Sequence, residues 1–145
     1  IHIPLIARGP AFTKGFVDPR LTQSIDVTKT IAEFAHAEVA NLPGSSLIEK
    51  NPVSYVISEY NEFGIHRQAI IDPAFKVIWQ RPADEAWYLR TAKKKEYFPS
   101  VSFDREVIQV FDLSKDPLEK TDLSNAMPEG AKVLEKVLRV FVLQP

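Results

Sequence analysis

Residues 110–124 read VFDLSKDPLEKTDLS, a strand that stops abruptly, and the rest of the chain is ordered around it. Just upstream, residues 106–113 supply Val107, Ile108, Val110 and Phe111, the β-branched and aromatic side chains that suit a pleated, half-buried surface. Asp112 closes the strand. Ser114-Lys115-Asp116-Pro117 then sets a short side-chain acceptor beside a proline of locked φ, so the chain must turn. Asp122-Leu123-Ser124-Asn125 places polar caps around a single leucine and ties the outgoing turn to the body before a final helix begins.

Working outward, residues 53–59 (VSYVISE) alternate as a strand does. Residues 68–71 and 75–80 read as a hairpin around Asp72-Pro73-Ala74, and residues 87–91 as a further strand. Short strands joined by short turns make a small antiparallel sheet. Pro128-Glu129-Gly130 opens the last helix, where Val133, Leu134, Val137, Leu138, Val140 and Phe141 form a broad apolar stripe suited to cover one sheet face. Toward the start, residues 1–7 (IHIPLIA) read as a short buried strand ended by Arg8-Gly9-Pro10; Pro4 has no N–H and confines it to a sheet edge, with partner strands expected upstream. Residues 12–20 form a loop broken by Gly15 and Pro19. Residues 21–38 read as a helix capped by Ser24 or Asp26, with Ile25, Ile31, Phe34, Ala35 and Val39 spaced close to 3.6 residues on a buried face.

A length of 145 residues accommodates one domain, or a domain plus a fragment, and buries roughly 70% of the unfolded surface. The 45% hydrophobic and 26% charged content excludes disordered, collagenous and coiled-coil classes. Net charge of −1 supplies no global field for nucleic acid or an anionic membrane. The chain has no cysteine, which removes disulfides, Cys-ligated zinc and a thiol nucleophile. No apolar run reaches the ~18 to 20 residues that span a bilayer.

Phe111-Asp112-Leu113, Asp116-Pro117, Glu119 and Leu123 resemble the tyrosine-aspartate-leucine, aspartate-proline-x-glutamate, asparagine-leucine signature near the C-terminus of sulfatases, with Phe111 in place of tyrosine and Asp122 in place of asparagine. Ile3, Pro4, Leu5, Ile6 and Pro10 resemble the family's arginine-valine-proline-leucine-isoleucine strand, His2 replacing the arginine. Ser24-Ile25-Asp26-Val27 and Thr30 resemble its valine-aspartate-leucine-x-proline-threonine helix start, with Lys29 at the proline position. Asn41 to Leu47, through Gly44, Ser46 and Leu47, resembles leucine-x-glycine-x-serine-leucine. These signatures stand in the family's order from residue 3 to residue 123.

The resemblance implies an α/β fold of the alkaline phosphatase superfamily, C-terminal portion. In it, residues 1–50 hold the last, edge strand and a helix of the main sheet, and residues 51–145 a subdomain of small antiparallel sheet packed by the C-terminal helix. It implies a sulfate-ester hydrolase whose missing N-terminal catalytic portion is the partner of this chain, whose substrate is a sulfated small molecule or glycan, and whose setting is periplasmic or secreted. Sulfate transfer needs a nucleophile, a cation and hydrogen-bond donors. In the family the calcium or magnesium ligands, the formylglycine and most catalytic lysines and histidines precede the point matched by Ile1, so no catalytic or metal-binding residue, and no cofactor, is expected in these residues. No Cys/Ser-x-Pro/Ala-x-Arg motif for formylglycine occurs.

Two features remain as candidates for a substrate rim. His66-Arg67, after Asn61-Glu62-Phe63-Gly64, offers two donors to an anion or else ends a solvated strand. Lys93-Lys94-Lys95, flanked by Tyr88, Tyr97 and Phe98, suits a sulfated glycan or a nucleic-acid phosphate, or serves solubility alone. His2, His36 and His66 lack the i, i+4 spacing of a zinc pair, and Glu33, Glu59, Glu62 and Asp84 show no glycosidase spacing. Two further functions stand beside the sulfatase reading: a phosphodiesterase or phosphoglycerol transferase of the same superfamily, and a stand-alone binding module for anionic polymers acting through the three lysines.

Overall fold

The computed structural model of the chain describes residues 3–49, 53–91 and 101–142. These fall into two compact units, Ile1–Ser54 and Tyr55–Pro145. In the second unit β1 (Val56–Glu62), β2 (Ile65–Ile71), β3 (Phe75–Gln80) and β4 (Val107–Asp112) form one antiparallel sheet in the order β1-β2-β3-β4. Around it stand α2 (Glu85–Thr91), a 3-10 turn at Ser124–Ala126 and α3 (Glu129–Val142); α1 (Ser24–Phe34) belongs to the first unit.

The turns explain the register. Phe63 and Gly64 both have positive φ, 53° and 73°, as a two-residue hairpin of primed type requires. The turn therefore starts one residue after Glu62, and β1 and β2 are each three residues longer at that end than their composition indicates. Gly64 also has no room for a side chain, since a Cβ there would stand 2.7 Å from the Asp84 carbonyl oxygen. At the next turn the Asp72 carboxylate accepts the Ala74 and Phe75 N–H groups at 2.8 and 2.6 Å, pairing Ile71 with Lys76.

One sheet face carries Ile70, Val77, Trp79 and Val110 against Ala131, Leu134 and Leu138 of α3. The stripe that α3 buries is narrower than the run of valines suggests. Val133 and Val140 are 61% and 59% exposed, because residues at 131, 134 and 138 already fill the arc that faces the sheet. A smaller cluster forms from Ile65, Ala83 and Tyr88, with Tyr60, Val101 and Phe103 packed beside it.

Three expectations are corrected. Residues 85–91 are helical rather than extended: Asp84 accepts the Trp87 N–H at 2.8 Å as an N-terminal cap, and burial of Tyr88 against Phe103 outweighs the strand preference of the aromatic residues. The first helix ends at Phe34, four residues early. His36 takes a left-handed φ of 53°, its N–H donates to the Glu33 carbonyl and that of Ala37 to Ala32, which closes the helix in a Schellman turn built on histidine instead of glycine. Residues 3–8 form no strand, and Ile3, Leu5 and Ile6 are exposed; a strand needs a ladder partner, and none lies beside them among the described residues.

Replacing Leu138, fully buried beneath the sheet, with alanine should cost about 2–5 kcal/mol in urea denaturation. Val133→Ala on the outer side of the same helix should change stability by no more than about 0.5 kcal/mol.

Candidate functional site

In the first unit the matched residues converge on the start of α1. Asp26, 2% exposed, accepts the Gln23 N–H at 2.7 Å through one carboxylate oxygen and the Ser45 N–H at 2.8 Å through the other. One turn on, the Thr30 hydroxyl donates to the Asp26 carbonyl at 2.6 Å and accepts the Leu47 N–H at 2.8 Å. The helix is thereby stitched to the loop at residues 44–47. Gly44 makes the approach feasible: its φ is 90°, and a Cβ would lie 2.7 Å from Asp26 Oδ1. Lys29, at the family's proline position, donates to the Gly44 carbonyl at 3.0 Å. Ser46 is buried within the same clasp.

In the second unit the signature turn is held by carboxylates as well. Asp112 accepts the Ser114 N–H and hydroxyl and the Lys115 ammonium, the last at 2.9 Å. Asp116 accepts the Lys120 and Thr121 N–H groups at 2.7 Å each, and Pro117 sits exposed inside that loop. Glu119, at a left-handed φ of 54°, meets Lys76 of β3 at 2.8 Å. Asp122 then reaches back to the Val110 N–H at 3.0 Å while the Leu123 N–H donates to the Val110 carbonyl at 2.8 Å, so the outgoing chain covers the open edge of β4. Asp26, Thr30, Asp112, Asp116, Glu119 and Asp122 are thus each tied to their surroundings by hydrogen bonds or an ion pair.

Of the candidate rim, His66 and Arg67 lie among the described residues, on one strand. His66 and Arg67 occupy successive positions of β2, not a loop, so their side chains leave opposite sheet faces and cannot jointly grip one small anion. His66 Nε2 lies 2.7 Å from Glu59 Oε1, and its ring meets Trp79 edge-on at 6.1 Å. On the other face Arg67 Nε donates to Gln80 Oε1 at 2.6 Å, opposite Tyr60 in the register. Burial lowers the Arg67 pKa, and burial followed by the Glu62 charge raises that of Tyr60. Lys93, Lys94 and Lys95, like His2, lie outside the described residues. Glu33 and Asp84 stand in separate units. Among the described residues no three His, Asp or Glu side chains are placed to hold a metal ion, and no helix is long and apolar enough to cross a membrane.

Sequence reasoning missed two cations that complete these scaffolds. Arg20 donates to the Leu47 carbonyl at 3.0 Å and to the Glu49 carbonyl, and pairs with Asp18 at 2.6 Å. Lys76 is the partner that gives Glu119 its purpose. The Asp18-Pro19-Arg20 turn signals its local ion pair, but a carbonyl acceptor 27 residues away leaves no local trace.

Gly44→Ala should destabilise the chain by more than Gly15→Ala, by about 1–3 kcal/mol, in thermal melts. Both glycines have positive φ, but only Gly44 has a close neighbour to displace. A second expectation concerns acid. Hydrogen bonds from Ser114, then Lys115, hold the Asp112 pKa below its ordinary value. The stability it contributes is therefore complete above that ordinary value, about 3.9, and is lost as pH falls through the lowered one. Asp112→Asn should melt earlier than the parent at about pH 6 and lose less on acidification to about pH 2.

No protein-family profile matches the chain. Curated relatives do. The chain is 26% identical over 147 residues to Arylsulfatase K of Xenopus laevis, 27% over 146 residues to that of Mus musculus and 28% over 160 residues to that of Gallus gallus. These alignments cover 99%, 100% and 99% of this chain and in each case 26% of the relative, so the chain spans about a quarter of the length of the curated relatives it matches. An alignment running the whole length of the chain agrees with signatures that stand in family order from residue 3 to residue 123. Along its whole length the chain is similar to about a quarter of these arylsulfatases.

Proposed function

We propose that this chain is the closing part of a sulfatase-like hydrolase that cleaves sulfate esters, supplying scaffold and a wall of the substrate cleft, and that it is catalytically incomplete alone. The observation that carries this reading is the inverted α1. A helix of a self-sufficient unit buries its apolar side, whereas α1 turns Asp26 and Thr30 inward, at 2% and 4% exposure, and leaves Ile31 and Phe34 at 64% and 48%. Ile31 and Phe34 are three residues apart and share one side of the helix. Ile3, Leu5, Ile6, Phe16 and Val17 of the same unit are exposed too. Apolar surface of this extent calls for a cover. Relatives about four times as long supply an obvious one: the portion of the same polypeptide outside the matched quarter. That portion would also carry the nucleophile and the calcium or magnesium site.

The test is reconstitution. The chain and the remaining portion of the full-length protein, produced separately and mixed, should associate and hydrolyse an aryl sulfate in a metal-dependent way, while the chain alone should not. Ile31→Asp with Phe34→Asp should abolish association while leaving the fold of the chain unchanged. Sulfate-ester turnover by the chain alone would overturn the proposal, and a reconstituted pair that cleaves phosphodiesters but not aryl sulfates would move it to the phosphoryl-transfer branch of the superfamily.

A further inference from the structure

Beside the start of α1 lies a small hollow lined by Arg20, Thr22, Asp26, Ser45, Ser46 and Leu47, with a free volume of about 10 Å³, roughly that of a single water. Ser46 borders it at 3% exposure, and its hydroxyl has no protein hydrogen-bond partner among the described residues. A hydroxyl buried in this way is costly unless something bonds it. The neighbours decide what that is. The Asp26 carboxylate already takes the Gln23 and Ser45 N–H groups, so an anion would meet a negative charge where the helix end is already satisfied. A metal cation would meet the Arg20 guanidinium, which lines the same hollow. A neutral group that both donates and accepts, of one-water size, fits all three constraints.

We propose that the hollow is a binding site for one structural water, anchored on the Ser46 hydroxyl and bridging it to a second polar group of the lining. Serine at this signature position is then a water holder in the clasp between α1 and the loop at residues 44–47. The site lies within the first unit and holds whatever reaction the full protein performs.

A crystal structure of the chain at about 1.5 Å should show a solvent peak at about 2.7–3.2 Å from Ser46 Oγ and from one further polar atom of the lining. A Ser46 Oγ bonded directly to a protein carbonyl, with the hollow closed, would overturn the proposal. Amide hydrogen exchange gives a second reading. Ser46→Ala removes the anchor, and Ser46→Thr keeps a hydroxyl but puts a methyl group where the water would sit. Both should speed exchange at the Ser45 and Leu47 amides by about tenfold. Wild-type exchange in Ser46→Thr, with fast exchange in Ser46→Ala, would mean that the hydroxyl matters without the water and would refute the site.

Discussion

At six of its turns and helix starts, an aspartate carboxylate takes backbone N–H groups. Asp26 does so at the head of α1, Asp72 between β2 and β3, Asp84 at the head of α2, and Asp112, Asp116 and Asp122 in succession after β4. The constraint behind this is general: an unbonded amide away from water costs as much as the hydrogen bond it lacks. Aspartate meets it better than a hydroxyl would, because a charged acceptor forms shorter and stronger bonds and offers two oxygens. Asp26 and Asp122 go further, since each joins a local turn to a segment at least 12 residues away.

This arrangement accounts for many of the residues that resemble the sulfatase signatures. They are the ones whose identity a turn dictates: an acceptor at 26, 112, 116 and 122, a left-handed position at 44, a hydroxyl at 30 that both donates and accepts. Glu119 takes a left-handed conformation that glycine would adopt more cheaply, and its ion pair with Lys76 shows what the side chain does in return.

The two units meet the demand for burial differently. Tyr55–Pro145 has an inner face: Ile70, Val77, Val110, Ala131 and Leu138 are fully enclosed. In Ile1–Ser54 the buried residues of α1 are polar, Asp26 and Thr30, and its large apolar side chains Ile25, Ile31 and Phe34 are exposed. Hydrogen bonds give the second arrangement its shape, yet they contribute little net free energy compared with apolar burial. A unit built this way holds its form best with its apolar side covered, which is the physical basis for reading it as part of something larger.

The sequence by itself determined the sheet, the closing helix, the signature turn and the family resemblance. Alternation in residues 53–59, the β-branched and aromatic residues of 107–111, the Asp72-Pro73 turn and the leucines of α3 are local patterns, and local patterns survive in one dimension. Tertiary structure decided the rest. Whether Ile31 is buried depends on what stands opposite it, and α1 has the same periodicity either way. His36 ends that helix because two backbone N–H groups find carbonyls there, in a conformation that histidine does not announce. The pair at 66 and 67 looked like joint donors until β2 extended through them, after which strand geometry sent them to opposite faces. Arg20 and Lys76 became structural only when folding brought acceptors 27 and 43 residues away within reach of their long side chains, a relation that no window of neighbouring residues contains.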